Sequence, residues 1–165
     1  MVAPTGILNP YASNLGNRDP VQVMRTTTAA LARLIDALGP DGLERSLRPG
    51  SWPARQIVGH LADTEIAFAF RIRQCLAEDR HVIQPFDQDR WNDLLPEADT
   101  ARAFRMFAAV RETNLALVEN VPESVLNKPV THPERGDMTF RHVLATIGGH
   151  DINHLEQLET LAGRR

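Results

Sequence analysis

The sequence is poor in cysteine, in long apolar runs and in clustered positive charge, and each lack excludes a class of protein. Cys75 is the single cysteine, so no disulfide can form within the chain. No apolar run approaches the roughly 20 residues that cross a bilayer. Lysine and arginine number 18 against 21 acidic residues and form no cluster, which disfavours nucleic acid and membrane surfaces as partners. The start of the chain also lacks the layout of a signal peptide, and we expect a cytoplasmic protein that acts on a small molecule.

The remaining sequence predicts four helices in one domain. A chain of 165 residues with 42% hydrophobic content can bury one core, and we expect an irregular N-terminal arm over residues 1–18 and a helical domain over 19–165. Apolar periodicity, capping residues and Gly or Pro stops give the helix limits. The first predicted helix has Asp19 as N-cap and runs from Pro20 to Gly39-Pro40, and the second has Ser51 as cap and runs to about Glu78. The third spans about Thr100 to Asn120, and the fourth has Thr139 as N-cap and runs to about Ala162.

Two connections between the helices are long. No alternating pattern indicates a strand, so we predict an all-α four-helix bundle in which residues 79–98 and 121–138 are long crossover connections. Connections of this length are often functional. Their notable side chains are Phe86, Asp87, Asp89, Trp91, His132, Glu134, Arg135 and Asp137.

The stretch GGHDINHL in the fourth helix places two histidines on an apolar face. Counting in steps of four and three from Val143 gives a stripe of four aliphatic residues and two histidines, His150 and His154. On the second helix, His60 falls on the inward side by the same count. A buried imidazole needs partners for both ring nitrogens, and one divalent metal bound by all three rings would supply them.

The metal site has to be weighed against the ordinary explanation of such a histidine pair. A lone pair of histidines four residues apart is usually a chance surface feature, and the position on the core stripe together with the inward His60 argues otherwise. We expect the other three histidines not to be ligands, because His142 lies off the stripe and His81 and His132 lie in loops, where solvated side chains are usual. Cys75 lies about 22 Å along the helix from His60, too far to share the metal, and we interpret it as a buried thiol.

Gly148 and Gly149 precede the first of the two histidines. Each destabilises a helix by roughly 1 kcal/mol relative to alanine, which suggests that they permit a close backbone approach or a solvent path beside the metal.

The candidates for catalysis near the histidines are Asp151, Asp63 and Gln157, and Thr64 is a further polar neighbour. The pattern HDINH is one methylene short of the HExxH of zinc peptidases, and Asp151 would take the place of the general base. Alternatively, Asp151 is a solvated helix residue, or it accepts a hydrogen bond from one of the metal-binding histidines. Asp63 and Thr64 lie one turn from His60, and Gln157 shares the face of His150; each could hydrogen-bond a ligand or a substrate.

Three segments carry a family resemblance: SWPARQIVGHLADTE, PFDQDRWN and TFRHVLATIGGHDINHLEQL. Together they resemble the DinB-like superfamily, which includes YfiT-like metal-dependent enzymes and transferases that use bacillithiol or mycothiol. The resemblance covers about residues 19–162. It implies a four-helix bundle, often a homodimer, and a divalent metal held by His60, His150 and His154. Zinc or nickel is the expected metal, with iron and manganese as alternatives.

The resemblance leaves the reaction open among three functions. The first is thiol-dependent transferase chemistry, because a coordinated thiol loses its proton near neutral pH. The second is a hydrolase that uses metal-bound water. The third is a non-catalytic, stress-related metal-binding protein. In either enzyme, Arg135 or Arg141 would meet a substrate carboxylate, and Trp91 would cover the site or anchor its own loop.

Overall fold

The structure, a computed structural model, describes residues 8–94 and 99–163. The helices are α1 Ala12–Leu15, α2 Pro20–Leu43, α3 Ala54–Ala77, α4 Gln88–Asp93, α5 Thr100–Val118, α6 Glu123–Leu126 and α7 Phe140–Leu161. The four long helices form a bundle in which α2 packs mainly on α7 and α3 mainly on α5. The strands are β1 His81–Val82, β2 Pro129–His132 and β3 Gly136–Thr139. The predicted four-helix bundle is confirmed. Within the described ranges, no helix is both long enough and apolar enough to cross a membrane.

The helix starts follow from local capping, with one correction. Asp19 caps α2 by accepting the Gln22 backbone N–H at 2.9 Å, with Pro20 at the first helical position, as predicted. Thr139 precedes α7, also as predicted. The prediction that Ser51 caps α3 is wrong: Pro53 is the residue before the helix, and the Ser51 hydroxyl bonds to the Arg48 carbonyl.

The end of α2 differs slightly from its prediction. Gly39 interrupts the helix with a positive φ of 59°, a conformation that favours glycine. Pro40 then begins one further turn that runs to Leu43, because proline fits the start of a helical segment. The Gly-Pro pair therefore kinks the helix where the sequence predicted its end.

A small sheet joins the two long connections, and it was not predicted. β1 from the first connection pairs parallel with β2 from the second, and β2 pairs antiparallel with β3. The strands are only two to four residues long, too short to show an alternating pattern. The all-α prediction thus holds for the bundle and fails for these connections.

Along each long helix, buried polar residues lie between two apolar clusters. One cluster contains Met24, Phe68 and Val118, and the other contains Leu31 and Phe107. Thr27, Glu65, Arg111 and Asp151 are the buried polar residues at intermediate positions of α2, α3, α5 and α7. We name these four side chains the polar layer.

Arg111 is the centre of the polar layer and is 1% exposed. Its guanidinium donates to Glu65 through Nε at 2.9 Å and Nη2 at 2.7 Å, and to Asp151 through Nη1 at 2.6 Å and Nη2 at 3.1 Å. Nη1 also donates to the Met24 carbonyl at 3.2 Å. Burial lowers the pKa of Arg111, but the charges of Asp151 and Glu65 outweigh that effect and raise it. All five donors of this arginine are therefore used, and they tie together all four helices.

Candidate metal centre

The three predicted histidines lie together inside the bundle. His60 comes from α3, and His150 and His154 come from adjacent turns of α7. Each side chain is buried, with at most 5% of its surface exposed. The apolar stripe of α7 is buried along its whole length, so the periodicity in the sequence located this face correctly.

The ring nitrogens of the three histidines can reach one ion. One nitrogen from each ring lies within 4.8 Å of the other two. The Nε2 atoms of His60 and His150 are 2.9 Å apart. Two nitrogens bound to one zinc ion at about 2.0–2.1 Å with tetrahedral angles are roughly 3.3 Å apart, so small side-chain shifts suffice. The residues present therefore fit a divalent metal.

Burial keeps the three rings in the form that binds metals. It lowers the pKa of His60 to about 3, with a further contribution from His154. Burial also lowers the pKa of His150 and of His154. A neutral imidazole keeps one nitrogen lone pair, which a metal ion can accept. The cluster is thus prepared for a cation rather than for protons.

Gln157 fixes the ring of His154. Its Oε1 lies 3.0 Å from His154 Nδ1, one helical turn away. Because an amide oxygen only accepts, Nδ1 carries the proton and Nε2 keeps its lone pair for a metal. Thr64 has a weaker contact of this kind, with its hydroxyl 3.4 Å from the ring nitrogens of His60. Both residues were expected near the ligands, and both contact one.

The two acidic candidates lie elsewhere. Asp151 is 1% exposed and faces the polar layer, where it accepts from Arg111 and from the Thr27 hydroxyl at 2.9 Å. It is neither a solvated residue nor free to act as a base. Asp63 is half-buried on α3, which raises the pKa of its carboxyl. Among the described residues, the group that could hold a metal consists of the three histidines and includes no carboxylate.

The N-terminal arm packs against the two glycines that precede His150. A Cβ on Gly149 would lie 2.5 Å from the Tyr11 carbonyl oxygen, and one on Gly148 would lie 3.0 Å from Pro20 Cα. The Tyr11 ring meets the His150 ring edge-on, with centroids 5.2 Å apart. The expected close backbone approach is therefore present: the arm supplies it at Gly149, and the first residue of α2 supplies it at Gly148.

A cavity of about 590 Å³ adjoins the cluster. The His154 side chain lines it together with Tyr11, Trp52 and Gln157. The Trp52 ring also packs on the His60 ring, with centroids 4.9 Å apart. Trp52 and Tyr11 were not among the predicted site residues. Trp52 stands in the segment that carries the family resemblance, while nothing in the sequence near Tyr11 indicates its role.

The aromatic and cationic candidates of the long connections do not line this cavity. Trp91 packs on Phe86 with ring centroids 4.6 Å apart and lines a separate cavity of about 310 Å³, which favours the anchoring role. Arg141 pairs with Glu123 at the surface. Arg135 is half-buried, and burial lowers its pKa. Neither arginine belongs to the residues that line the cavity beside the histidines.

The remaining histidines and the cysteine are not part of the cluster. His81 and His132 lie on β1 and β2 and are each 5% exposed, so the expectation of solvated loop histidines is wrong. Both belong to the small sheet, which was not predicted. Cys75 is a buried thiol, and burial raises its pKa to about 11. A thiol in that state is a poor metal ligand and a poor nucleophile.

Comparison with known proteins places this arrangement in a family. The chain is 24% identical over 138 residues to the "Putative metal-dependent hydrolase OB0413" of Oceanobacillus iheyensis, with 82% of this chain and 79% of that protein covered. It is 25% identical over 148 residues to the "Putative metal-dependent hydrolase YfiT" of Bacillus subtilis, covering 87% and 83%.

The fold and the family profile agree with these relatives. The solved structure of YfiT, described as an unusual four-helix bundle topology, superposes with a TM-score of 0.81 at 24% identity and covers 88% of this chain and 85% of that one. The profile of the DinB superfamily matches residues 24–158. The match spans most of the chain and includes all three clustered histidines. The chain belongs to the DinB superfamily.

Proposed function

We propose that this protein is a divalent-metal-dependent enzyme that binds a low-molecular-weight thiol at the three-histidine cluster and uses it as the nucleophile of a transferase reaction. The observation that carries the proposal is the composition of the site. Three neutral, buried imidazoles adjoin an open cavity, and within the described residues no carboxylate joins their cluster. A structural zinc site would normally be closed by a fourth protein ligand.

The residues of the site have distinct roles in this proposal. His60, His150 and His154 hold the ion, and Gln157 keeps the proton of His154 on Nδ1. When bound, the metal lowers the pKa of a coordinated thiol or water, so that a nucleophile is available near neutral pH. Trp52 and Tyr11 pack on two of the ligand rings and limit the access of solvent from those sides. Zinc and nickel suit imidazole ligands best, and iron or manganese would be weaker occupants.

A metal-dependent hydrolase is the second candidate, and the names of the relatives favour it. Such a reaction is helped by a general base within hydrogen-bond reach of the attacking water. Asp151 is held by Arg111 in the polar layer, which leaves Asp63 of the two acidic candidates predicted near the histidines. A thiol needs less help, since its proton is lost on coordination. This difference is the reason for placing the thiol reaction first.

Metal content is the first test of the proposal. Protein purified without a metal-affinity tag should contain about one equivalent of a divalent metal. The variant His150→Ala/His154→Ala should lose it, because one remaining imidazole cannot hold the ion. His142→Ala is the matched control, since His142 lies on the same helix outside the cluster and should leave the metal content unchanged. Full metal content in the double variant would contradict the assignment of the ligands.

The choice of nucleophile is tested on cobalt-substituted protein. A thiol that coordinates the metal should produce a new charge-transfer absorption band, and the double histidine variant should not produce it. Gln157→Leu should weaken metal affinity about 10- to 100-fold, as is typical when the partner of a ligating histidine is removed. Metal-dependent ester hydrolysis without any spectral response to thiols would favour the hydrolase instead.

A further inference from the structure

Two charged side chains in the cavity beside the histidines have no task in the metal site. Arg48 comes from the connection between α2 and α3, and Asp89 comes from α4. Among the described residues that line this cavity, only these two carry a formal charge when the histidine is neutral. The cavity wall thus presents one positive and one negative group from two separate segments.

The described residues offer neither charge an oppositely charged partner. In the part of the chain that the structure describes, neither Arg48 nor Asp89 takes part in an ion pair. Their neighbours behave differently: Arg90, next to Asp89, pairs with Asp87 at 3.4 Å. Arginine and aspartate that share a cavity and lack partners are available to a ligand.

The backbone at both positions is nevertheless held in place. The Ser51 hydroxyl donates to the Arg48 carbonyl at 2.9 Å and accepts the Arg48 N–H at 3.2 Å. The Asp87 carboxylate accepts the Asp89 N–H at 3.1 Å as the cap of α4. Each charged side chain therefore extends from an anchored backbone position on the cavity wall.

We infer that the metal-facing cavity selects a small zwitterion, in which a carboxylate of the ligand meets Arg48 and an ammonium group meets Asp89. The inference rests on the proposed function, because the reacting group of the same ligand has to reach the metal. A guanidinium binds a carboxylate through two parallel hydrogen bonds, and a carboxylate accepts from an ammonium. A volume of about 590 Å³ is within the usual range of small-molecule sites and exceeds what a single free amino acid needs.

The test uses four forms of one thiol dipeptide that differ in their terminal charges. Glycylcysteine carries both charges, its N-acetyl form lacks the ammonium, its C-terminal amide lacks the carboxylate, and the doubly capped form lacks both. Affinities are measured by calorimetry on the zinc-loaded protein, with zinc content determined on the same samples. Glycylcysteine should bind best, and each cap should weaken binding about fivefold, the upper end for exposed ion pairs.

Variants assign each preference to its residue. Arg48→Ala should abolish the difference between the acid and the amide but retain the difference between the amine and its acetylated form. Asp89→Asn should give the reverse pattern. Arg90→Ala and Asp93→Asn are the matched controls, because they remove the same charges from positions of α4 that do not line the cavity. Both controls should keep the full set of preferences.

The outcomes separate this inference from the function on which it rests. If all four thiols bind zinc-loaded protein equally well, the zwitterion inference is overturned while the metal-thiol site stands. If the preferences persist in Arg48→Ala and Asp89→Asn, the assignment to these residues is overturned. If zinc does not bind, or if no thiol binds to zinc-loaded protein, both the proposed function and the inference fall.

Discussion

Replacing Arg111 by methionine should be among the most destabilising single changes in this protein. Methionine is of similar length but leaves Glu65 and Asp151 buried without their cation. Asn114 still donates to Glu65 Oε1 at 2.7 Å, and Thr27 still donates to Asp151 Oδ2 at 2.9 Å, so one oxygen of each carboxylate keeps a partner. Removing one member of a buried ion pair costs about 3–5 kcal/mol. For a chain of this size that corresponds to a fall in Tm of about 6–20 °C.

Urea denaturation followed by circular dichroism measures this loss. Arg111→Lys is the control, since lysine keeps the charge but has three donors and no planar fork, and it should fall between the wild type and Arg111→Met. Arg105→Met, at an exposed position of the same helix, should cost less than about 0.5 kcal/mol. A loss below about 1 kcal/mol for Arg111→Met would refute the view that this arginine compensates two buried carboxylates.

Three further predictions concern the arm, the histidines and the thiol. Gly149→Ala should displace Tyr11 and cost about 1–3 kcal/mol in urea denaturation, because its Cβ would lie 2.5 Å from the Tyr11 carbonyl oxygen; Gly148→Ala, with 3.0 Å to its nearest neighbour, should cost less. Metal-free protein should lose stability as the pH falls below about 6.5, since burial lowers the pKa of the clustered histidines and the unfolded chain then binds more protons. Each such histidine contributes at most about 1.4 kcal/mol per pH unit, and a flat urea midpoint between pH 7 and 4 would contradict this. Cys75 should resist thiol reagents in the folded protein, because burial raises its pKa to about 11, and should react once urea unfolds the chain.

The bundle could be predicted because its helices are specified locally. Asp19 and Thr139 act at the N-termini where the sequence placed them, and the apolar stripe of α7 is buried throughout. The burial of Arg111 and Asn114 on the inward face of α5 was not predicted. A charged residue on a helix is normally solvated, and only its partners on three other helices make burial favourable. Those partners are distant in sequence, so no local pattern reveals them.

The three-histidine cluster was predictable for a related reason, and its surroundings were not. Burying two histidines on an otherwise aliphatic stripe is unfavourable unless their ring nitrogens have partners, and the sequence alone shows that both lie on this stripe. Trp52 contacts the ring of His60, which is 8 residues away in sequence. Tyr11 contacts the ring of His150, which is 139 residues away. Periodicity cannot detect such contacts, because they depend on how a connection and an arm fold over the bundle.

The assignment of Asp151 shows where helical geometry would have improved the prediction. One residue in a helix corresponds to about 100° of rotation, so Asp151 cannot share the face of His150 and must point toward another helix. It points to Arg111, and the pair is joined through Glu65 and Thr27 to α3 and α2. A sliding or rotation of α7 by one residue would break these bonds and would also move His150 and His154 away from His60. The polar layer therefore fixes the register of the helix that carries two of the three proposed ligands, and the carboxylate next to them in sequence acts by positioning that helix.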